Sequence, residues 1–292
     1  MPEGLKVLML GGNGQLGRSI QESAQGLPLE IFAPSSLQLD MRSEDQVVES
    51  FKHFNPDYVI NAAGWTNVDL AESNTEAAHA INFEGVKNLA LASRKFGARF
   101  IHFSTDYVFS GSKERAYTEE DPQSPINEYG KSKAEAEKML TVEFSEVSTT
   151  FRTSWLFGRH GNNFAKTISR KILSSENQIN VVGDQLGQPT SSIELSQMII
   201  TYLNHEWQPG IYNLTNSGST TWANFASEIL RYFPDSNCKI HVIHSKDLET
   251  KTKRPSFSVL DNSKVINSLG LSMLDWKTAL KTEFPKIKEA LL

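Results

Sequence analysis

The sequence is short of cysteine and of long apolar runs, and both shortages narrow the class of protein. Its 292 residues include a single cysteine, Cys238, which rules out an intrachain disulfide framework and favours a reducing compartment. No run approaches the roughly 18 apolar residues of a membrane span. The apolar run close to Met1 is too short for a secretory signal and meets glycines at once. We therefore expect a cytoplasmic protein without a membrane partner.

The sequence has no excess of positively charged residues either. The formal net charge is -5 at pH 7 and the sequence has no basic run, so a nucleic acid is not an expected partner. No G-x-S-x-G elbow follows a predicted strand, which excludes an α/β-hydrolase serine. His241 and His244 have no third ligand near them in the sequence, so we expect no metal site. His102 lies inside an apolar run and is expected to be a packed core residue.

The sequence does contain an alternation of apolar runs and amphipathic segments. The runs are separated by segments with helical periodicity and begin at Leu5, Leu29, Tyr58, Arg99 and Ser148. This alternation predicts an α/β fold with a doubly wound parallel sheet and right-handed crossovers. A long helix is predicted over Ala77 to Phe96, and a last helix over Trp276 to Leu291 is expected to be interrupted at Pro285, because proline lacks the N–H group.

The composition changes after about Trp155, where glycine, proline and asparagine become frequent. We predict a dinucleotide-binding domain over residues 1–154 and a smaller, mainly substrate-binding α/β region over residues 155–292. Segments near residues 179–214 are expected to pack back on the first domain.

A glycine-rich turn connects the first predicted strand to the first predicted helix. It reads Gly11-Gly12-Asn13-Gly14-Gln15-Leu16-Gly17. Strand, glycines and helix in this order are the context of a dinucleotide-binding fingerprint. Gly11 permits the tight turn, Gly14 lets the backbone approach a pyrophosphate, and Gly17 allows close packing of the helix. The spacing is G-x-x-G-x-x-G rather than G-x-G-x-x-G, and the helix N-terminus attracts phosphate groups.

Tyr129 and Lys133 stand four positions apart in a segment with a helical pattern, so their side chains share a face. A cation beside a phenol lowers its pKa from the usual value of about 10. We therefore expect Tyr129 to exchange a proton near neutral pH. Ligands of doubly wound sheets lie beyond the carboxyl ends of the strands. One crevice should therefore be lined by Gly11, Asp40, residues 62–66 and residues 104–106.

Together these motifs resemble the extended short-chain dehydrogenases/reductases and, within them, the dTDP-4-dehydrorhamnose reductases. The resemblance covers nearly the whole chain and is carried by GGNGQLG, NAAGWTNVDLAES, STDYVFSG, YTEEDPQSPINEYGKSKAEAE, RTSWLFG, GDQLGQPT, TTWANFASEIL and RPSFSVLDNSKV. It implies a Rossmann-like fold. It also implies reduction of the C4 keto group of dTDP-4-dehydro-6-deoxy-L-mannose to dTDP-L-rhamnose, a precursor of cell-surface polysaccharide such as lipopolysaccharide.

The resemblance implies the site residues as well. The predicted catalytic trio is Thr105, Tyr129 and Lys133, with Tyr129 as proton donor to the C4 oxygen. The residues implied to contact the cofactor are Gly11, Gly14, Gln15, Leu16, Gly17, Asp40, Met41, Ala62, Ala63, Gly64, Thr66, Tyr129 and Lys133. The residues implied to contact the sugar nucleotide are Val68, Thr105, Asp106, Tyr107 and Trp155.

Two departures from the family pattern affect the cofactor site. Pro34-Ser35-Ser36 follows the second predicted strand, where an acid would favour NADH and an arginine NADPH. The lack of an acid favours NADPH, and the lack of an arginine leaves NADH as a second cofactor. Trp65 stands where the family more often has a smaller aromatic residue or histidine, so the fit near the nicotinamide is open.

Two alternative functions stay open at this point. The substrate could be another 4-keto-6-deoxy sugar nucleotide, since the orientation of one hydroxyl depends on the shape of the pocket. The chain could also be a non-catalytic nucleotide-binding regulatory subunit resembling that of methionine adenosyltransferase. Thr105, Trp155 and the TNVDLAE segment favour an enzyme. Relatives are often dimers, which implies a homodimer, although no sequence feature identifies an interface.

Overall fold

The apolar runs form strands and the segments between them form helices in a computed structural model that describes residues 4–174, 176–248 and 252–291. The strands are β1 (Leu5–Leu10), β2 (Leu29–Phe32), β3 (Tyr58–Asn61), β4 (Arg99–Thr105), β5 (Ser148–Thr153), β6 (Leu156–Phe157), β7 (Gln178–Val182), β8 (Leu186–Gly187), β9 (Thr190–Ser191), β10 (Gly210–Asn213), β11 (Thr220–Thr221) and β12 (Lys239–Ile243).

The helices are α1 (Gln15–Ser23), α2 (Glu44–Phe54), α3 (Val68–Ser73), α4 (Thr75–His79), α5 (Gly85–Phe96), α6 (Glu128–Glu143), α7 (Phe164–Leu173), α8 (Ser192–Tyr202), α9 (Trp222–Leu230), α10 (Ser263–Leu269) and α11 (Trp276–Glu289). Shorter helical turns are the π-helical turn Ala80–Glu84 and the 3-10 turns Asp106–Val108 and Ser245–Asp247. Within the described ranges, none of the helices is both long and apolar enough to cross a membrane.

A six-stranded parallel sheet forms the centre of the fold, in the order β10-β5-β4-β3-β1-β2. The first five strands of the chain lie where the alternating pattern predicts, so the α/β class with a parallel sheet is confirmed. The sixth position is filled by β10 from the second half of the chain, which pairs with β5. The division at residue 154 into two domains stays a prediction.

Alternate residues of the central strands face two separate apolar cores. Val7 and Met9 of β1 pack in a core that includes residues of α1 and α8. Leu8 and Leu10 pack in the other core, with residues of α2, α5 and α6. Because successive side chains of a strand point to opposite faces, helices must cover both faces of the sheet. This double burial explains why the strands appear in the sequence as continuous apolar runs.

A third core lies in the second half of the chain. It is formed by apolar residues of α7, α9, α11 and β7, with Phe157 and Phe225 among its fully buried members. Helix α11 runs from Trp276 to Glu289 with Pro285 inside it, so the predicted interruption at this proline is wrong. Apolar burial of Phe284 and Ile287 on either side holds the helix together despite the missing N–H donor.

The helix predicted over Ala77 to Phe96 is divided by the π-helical turn Ala80–Glu84. The turn places Asn82 against the loop that follows β3. There the side chain of Asn82 accepts a hydrogen bond from the Trp65 N–H (2.8 Å) and donates to the Trp65 carbonyl (3.1 Å) and to Ser132 Oγ (3.0 Å). Such π-helical turns occur frequently at functional sites, and this one joins the β3 loop to α6.

Helix α6 begins at an asparagine cap and is anchored by a buried ion pair. Asn127 Oδ1 accepts a hydrogen bond from the Gly130 N–H (2.8 Å). Further along the helix, Glu137 pairs with Arg152 of β5, with Nη2 2.6 Å from Oε2 and both side chains almost fully buried. The ion pair therefore sets the position of α6 along β5.

We expect Glu137→Ala to lower the free energy of unfolding by about 3–5 kcal/mol, because it leaves the Arg152 guanidinium buried without its counter-ion. Urea denaturation followed by circular dichroism measures the change. Arg231→Ala, which removes a surface pair between an exposed arginine and the half-buried Glu228, is the control and should change stability little. Equal effects of the two substitutions would contradict this assignment.

Candidate functional site

A cavity of about 770 Å³ lies at the carboxyl ends of β1, β3, β4 and β5. The structure brings most of the predicted site residues together here. Those that line the cavity are Gly11, Gly14, Gln15, Leu16, Ala62, Ala63, Gly64, Thr66, Thr105, Asp106, Tyr129, Lys133 and Trp155. The parallel sheet causes this convergence, because it gathers the loops that follow its strands at one edge.

The remaining predicted site residues do not line this cavity. Gly17 lies beneath the glycine turn, and Met41 is buried in the core beside Gly85. Asp40 is partly exposed and its carboxylate pairs with the Arg42 guanidinium (2.7 Å), which lowers the pKa of Asp40. Val68 begins α3, and Tyr107 packs edge-on against Tyr129 with ring centroids 6.0 Å apart.

The glycine turn brings backbone close to backbone. Gly11 has a φ of +77°, and a Cβ there would lie 2.5 Å from the Ala62 carbonyl carbon. A Cβ on Gly17 would lie 2.2 Å from the Gly11 oxygen. Helix α1 starts after Gly14 without a side-chain cap, so its first N–H groups are available to an anion at the cavity.

Unpaired polar atoms also face the cavity. In the described part of the chain, Gln15 Nε2, Ser104 Oγ and Thr153 Oγ1 are buried without a hydrogen-bond partner, and all three residues line the cavity. Buried polar groups of folded proteins are normally paired. Together with the glycine turn and the α1 N-terminus, these groups fit a bound dinucleotide.

Thr105 and Asp106 form a polar pair at the end of β4. Thr105 Oγ1 donates to Asp106 Oδ1 (3.0 Å) and accepts from the Tyr107 N–H (3.1 Å). Burial raises the pKa of the Asp106 carboxyl to about 7, and hydrogen bonding by Ser258 and Thr105 only partly offsets this effect. Asp106 is therefore partly protonated near neutral pH and can both donate and accept a hydrogen bond.

Lys133 extends from α6 back to β4 rather than toward the phenol. Its Nζ donates to the Phe103 carbonyl (2.6 Å) and lies 3.1 Å from Nε2 of His102. Burial lowers the pKa of Lys133 to about 8, although the nearby Glu137 carboxylate acts in the opposite direction. His102 is fully buried, as expected of a core residue, but it contacts this lysine directly.

The expectation that Lys133 lowers the pKa of Tyr129 is wrong in this structure. The pKa of Tyr129 is raised to about 12, because burial disfavours the phenolate and the Asp106 charge adds to this, while hydrogen bonding by Thr105 opposes it. The i and i+4 spacing correctly puts both residues on one face of α6. The spacing in the sequence does not show that His102 and the Phe103 carbonyl, both on β4, hold the Lys133 nitrogen.

Trp155 lies in an aromatic stack that the sequence did not reveal. Its backbone has a φ of +44°, which is unusual for a residue other than glycine. Its indole stacks on Trp222 with ring centroids 3.5 Å apart and an interplanar angle of 7°. A Cβ on Gly187 would lie 2.5 Å from the Trp155 ring. Trp222 and Gly187 therefore fix this indole at the cavity wall.

The segment from residue 252 to residue 262 packs against α3 and the N-terminus of α6. The Arg254 guanidinium bonds both carboxylate oxygens of Asp69 in α3, each at 2.9 Å. Asn127, the cap of α6, donates to the Lys253 carbonyl (3.0 Å). RPSFSVLDNSKV is a recognisable stretch of sequence, yet its contact with α3 and α6 follows only from tertiary structure. No group of His, Cys, Asp and Glu side chains suited to a metal occurs in the described ranges.

The sequence is similar to those of known proteins over nearly the whole chain. The sequence model of the RmlD substrate binding domain matches residues 5–288. The chain is 35% identical to the spore coat polysaccharide biosynthesis protein SpsK of Bacillus subtilis, over 94% of this chain and 95% of that protein. It is also 35% identical to a dTDP-4-dehydrorhamnose reductase of Aggregatibacter actinomycetemcomitans, over 94% of this chain and 97% of that protein.

A solved structure is similar over nearly the whole chain. It is the dTDP-4-dehydrorhamnose reductase of Bacillus anthracis in complex with NADP, with a TM-score of 0.92 and 34% sequence identity. The match covers 97% of this chain and 99% of that chain. The similarity therefore includes both the parallel sheet and the second half of the chain.

We expect Gly187→Ala to displace the Trp155 indole, because the new methyl group would occupy the space of the ring. Near-ultraviolet circular dichroism should lose the signal of the stacked indoles, and the free energy of unfolding should fall by about 1–3 kcal/mol. Ser219→Ala, at an exposed position, is the control. An unchanged spectrum of the Gly187→Ala protein would show that the contact does not fix the indole.

Proposed function

The chain belongs to the family of the RmlD substrate binding domain and of the dTDP-4-dehydrorhamnose reductases, and we propose that it reduces dTDP-4-dehydrorhamnose to dTDP-L-rhamnose with NADPH. The observation that carries the proposal is the meeting of the glycine turn with Thr105, Tyr129 and Lys133 in one cavity. The protein is thus an NADP-dependent oxidoreductase of nucleotide-sugar metabolism.

NADPH, when bound, supplies the hydride that adds to the C4 carbonyl carbon. The residues that would hold the cofactor are those of the glycine turn, the backbone of Ala62 to Gly64, Thr66 and Lys133, all at one side of the cavity. The uncapped N-terminus of α1 suits the pyrophosphate. Asp40 and Met41, which lie outside the cavity, are proposed to contact the adenine end.

Tyr129 supplies the proton that the C4 oxygen needs as it becomes an alkoxide. Its raised pKa of about 12 keeps the phenol protonated at neutral pH, so the proton is available when the oxygen acquires charge. Thr105 Oγ1 can hydrogen-bond the same oxygen. Lys133, whose Nζ is held at the Phe103 carbonyl, lines the same cavity and is proposed to bind the nicotinamide ribose.

The sugar nucleotide is proposed to occupy the part of the cavity between Trp155 and the end of β4. Asp106, with its pKa near 7, can bond a sugar hydroxyl in either direction. Trp155 offers an apolar indole fixed by Trp222. Val68 and Tyr107 are proposed to complete this side, with Tyr107 ordered by its contact with Tyr129.

The two alternative functions are not equally supported. A non-catalytic nucleotide-binding subunit is not favoured, because the chain keeps the complete trio and its relatives are named reductases. Reduction of a different 4-keto-6-deoxy sugar nucleotide is the competing outcome of the substrate test. A homodimer and a cytoplasmic location remain proposals from the sequence, and size-exclusion chromatography with light scattering would test the first.

Turnover of dTDP-4-dehydrorhamnose, made in situ from dTDP-4-keto-6-deoxy-D-glucose with an epimerase, tests the function directly. We expect NADPH oxidation and dTDP-L-rhamnose as product, with a higher kcat/KM for NADPH than for NADH, because no acid follows β2 to repel a 2'-phosphate. Omitting the epimerase is the control for substrate choice. Faster turnover without the epimerase would replace the proposed substrate with the D-gluco sugar.

Tyr129→Phe should lower kcat by about a hundred-fold or more, because only the proton donor is lost. The dissociation constant for NADPH, from nucleotide fluorescence, should stay nearly unchanged. Tyr232→Phe, at a tyrosine that does not line the cavity, is the matched control. If the Tyr129→Phe protein kept most of its activity, Tyr129 would not be the donor.

The rate should also depend on pH through Lys133. Its pKa is lowered from 10.5 to about 8, so the ammonium is present below pH 8 and is lost as the pH rises through that value. We expect kcat/KM to fall above about pH 8, since this constant reports the groups of the free enzyme. A profile that stays flat up to pH 10 would show that the Lys133 charge is not needed.

A further inference from the structure

A chain of buried polar groups connects Lys133 to the loop that follows β3. Asn61 and His102 are fully buried register partners on β3 and β4. Asn61 Nδ2 lies 3.3 Å from His102 Nδ1, and His102 Nε2 lies 3.1 Å from Lys133 Nζ. Neither Asn61 nor His102 has a part in the reaction described above, yet both are fully buried polar groups, and such groups are costly to bury without partners.

The backbone of the cavity wall sets the direction of these hydrogen bonds. The Ala63 N–H donates to Asn61 Oδ1 (3.1 Å), so the amide nitrogen of Asn61 faces the imidazole. His102 Nδ1 must then accept. A neutral imidazole has one donor and one acceptor, so Nε2 carries the hydrogen and donates toward Lys133. The ring is neutral, because burial and the adjacent lysine hold the pKa of His102 well below its usual value.

A hydrogen bond donated by His102 Nε2 requires Lys133 to be an uncharged amine. The amine nitrogen accepts this hydrogen bond with its lone pair and donates an N–H to the Phe103 carbonyl. When Lys133 is protonated, Nζ has no lone pair left. The imidazole must then move its hydrogen to Nδ1, where it meets the N–H group of Asn61. The protonation of Lys133 and the tautomer of His102 are therefore coupled.

We propose that His102 is a positioning residue of the reductase: it holds Lys133 Nζ against the Phe103 carbonyl and, with Asn61, ties the protonation of Lys133 to the wall of the cofactor cavity. The importance of this contact for the rate rests on the proposed function. The contact itself and the titration of Lys133 are properties of the protein without cofactor, so they can be measured separately.

Other charged groups around Lys133 stay the same in the variants below. Glu137 lies one turn further along α6, raises the pKa of Lys133 and is itself paired with Arg152 of β5. Tyr129 lies one turn earlier on α6 and carries no charge at neutral pH. The Asp106 carboxylate at the end of β4 raises the pKa of Tyr129.

The first test reverses the direction of the hydrogen bond between residue 61 and His102. Asn61→Asp keeps the shape of the side chain but presents a carboxylate oxygen to His102, so the ring hydrogen should move to Nδ1 and Nε2 should accept from the ammonium. We expect the Lys133 pKa to rise by about one pH unit or more. Nuclear magnetic resonance of lysine labelled with ¹³C at Cε reads this titration without cofactor, and Lys133→Met identifies the signal.

A double-mutant cycle separates the hydrogen-bond chain from the added charge. In the His102→Leu background, Asn61→Asp still adds a carboxylate but lacks the imidazole that connects it to Lys133. We expect the rise in the Lys133 pKa to be clearly smaller there. Equal rises with and without His102, or no rise at all, would overturn the proposal, whatever the enzyme reduces.

The second test uses the rate. His102→Gln keeps a polar atom at the position of Nε2 and should retain kcat within about three-fold, whereas His102→Leu should lower kcat about ten-fold or more, because Lys133 loses its support. His102→Leu should also shift the pH above which kcat/KM falls. Loss of a residue that only packs in the core would not cause this shift. Ile101→Val, in the same buried strand, is the control for stability.

The outcomes of the two tests are distinct. Normal kcat and an unmoved pH profile in His102→Leu, with an active wild-type enzyme, would reduce His102 to a core residue and overturn the proposal. Absence of turnover in the wild-type enzyme would instead contradict the proposed function. The resonance titration would still decide whether His102 holds Lys133.

Discussion

The buried ion pair between Glu137 and Arg152 is the constraint on which the rest of the site depends. Tyr129, Lys133 and Glu137 follow one another at intervals of four residues on one face of α6, so whatever fixes Glu137 also fixes the other two. Arg152 supplies this anchor from β5, deep in the sheet. Two charges without water are stable only with good mutual geometry, which makes the position of the helix sharply defined.

The parallel sheet then supplies the partners of this helix. The strand ends of β1, β3 and β4 meet at one edge, and the absence of side chains at Gly11 and Gly17 lets the backbone segments approach each other. The result is a cavity with an uncapped helix N-terminus on one side and Thr105, Tyr129 and Lys133 on the other. Burial then controls the chemistry, because it lowers the pKa of Lys133 and raises the pKa values of Asp106 and Tyr129.

The second half of the chain does more than cover the first. Strand β10 completes the central sheet, and Trp222 and Gly187 fix Trp155 at the cavity. The segment that begins near Arg254 reaches α3 through Asp69. Residues far apart in the sequence therefore position Trp155 at the cavity.

Local patterns in the sequence determined the α/β alternation, the glycine turn and the shared face of Tyr129 and Lys133, because each depends on neighbours within a few residues. Only the tertiary structure decided that the segment predicted to pack back on the first domain does so as strand β10 of the main sheet, that α11 continues through Pro285 and that Trp222 supports Trp155. It also reversed the expected direction of the Tyr129 pKa and gave His102 a contact with Lys133. These features depend on burial and on contacts between elements that are distant in the sequence. The spacing of residues along the chain gives no information on either.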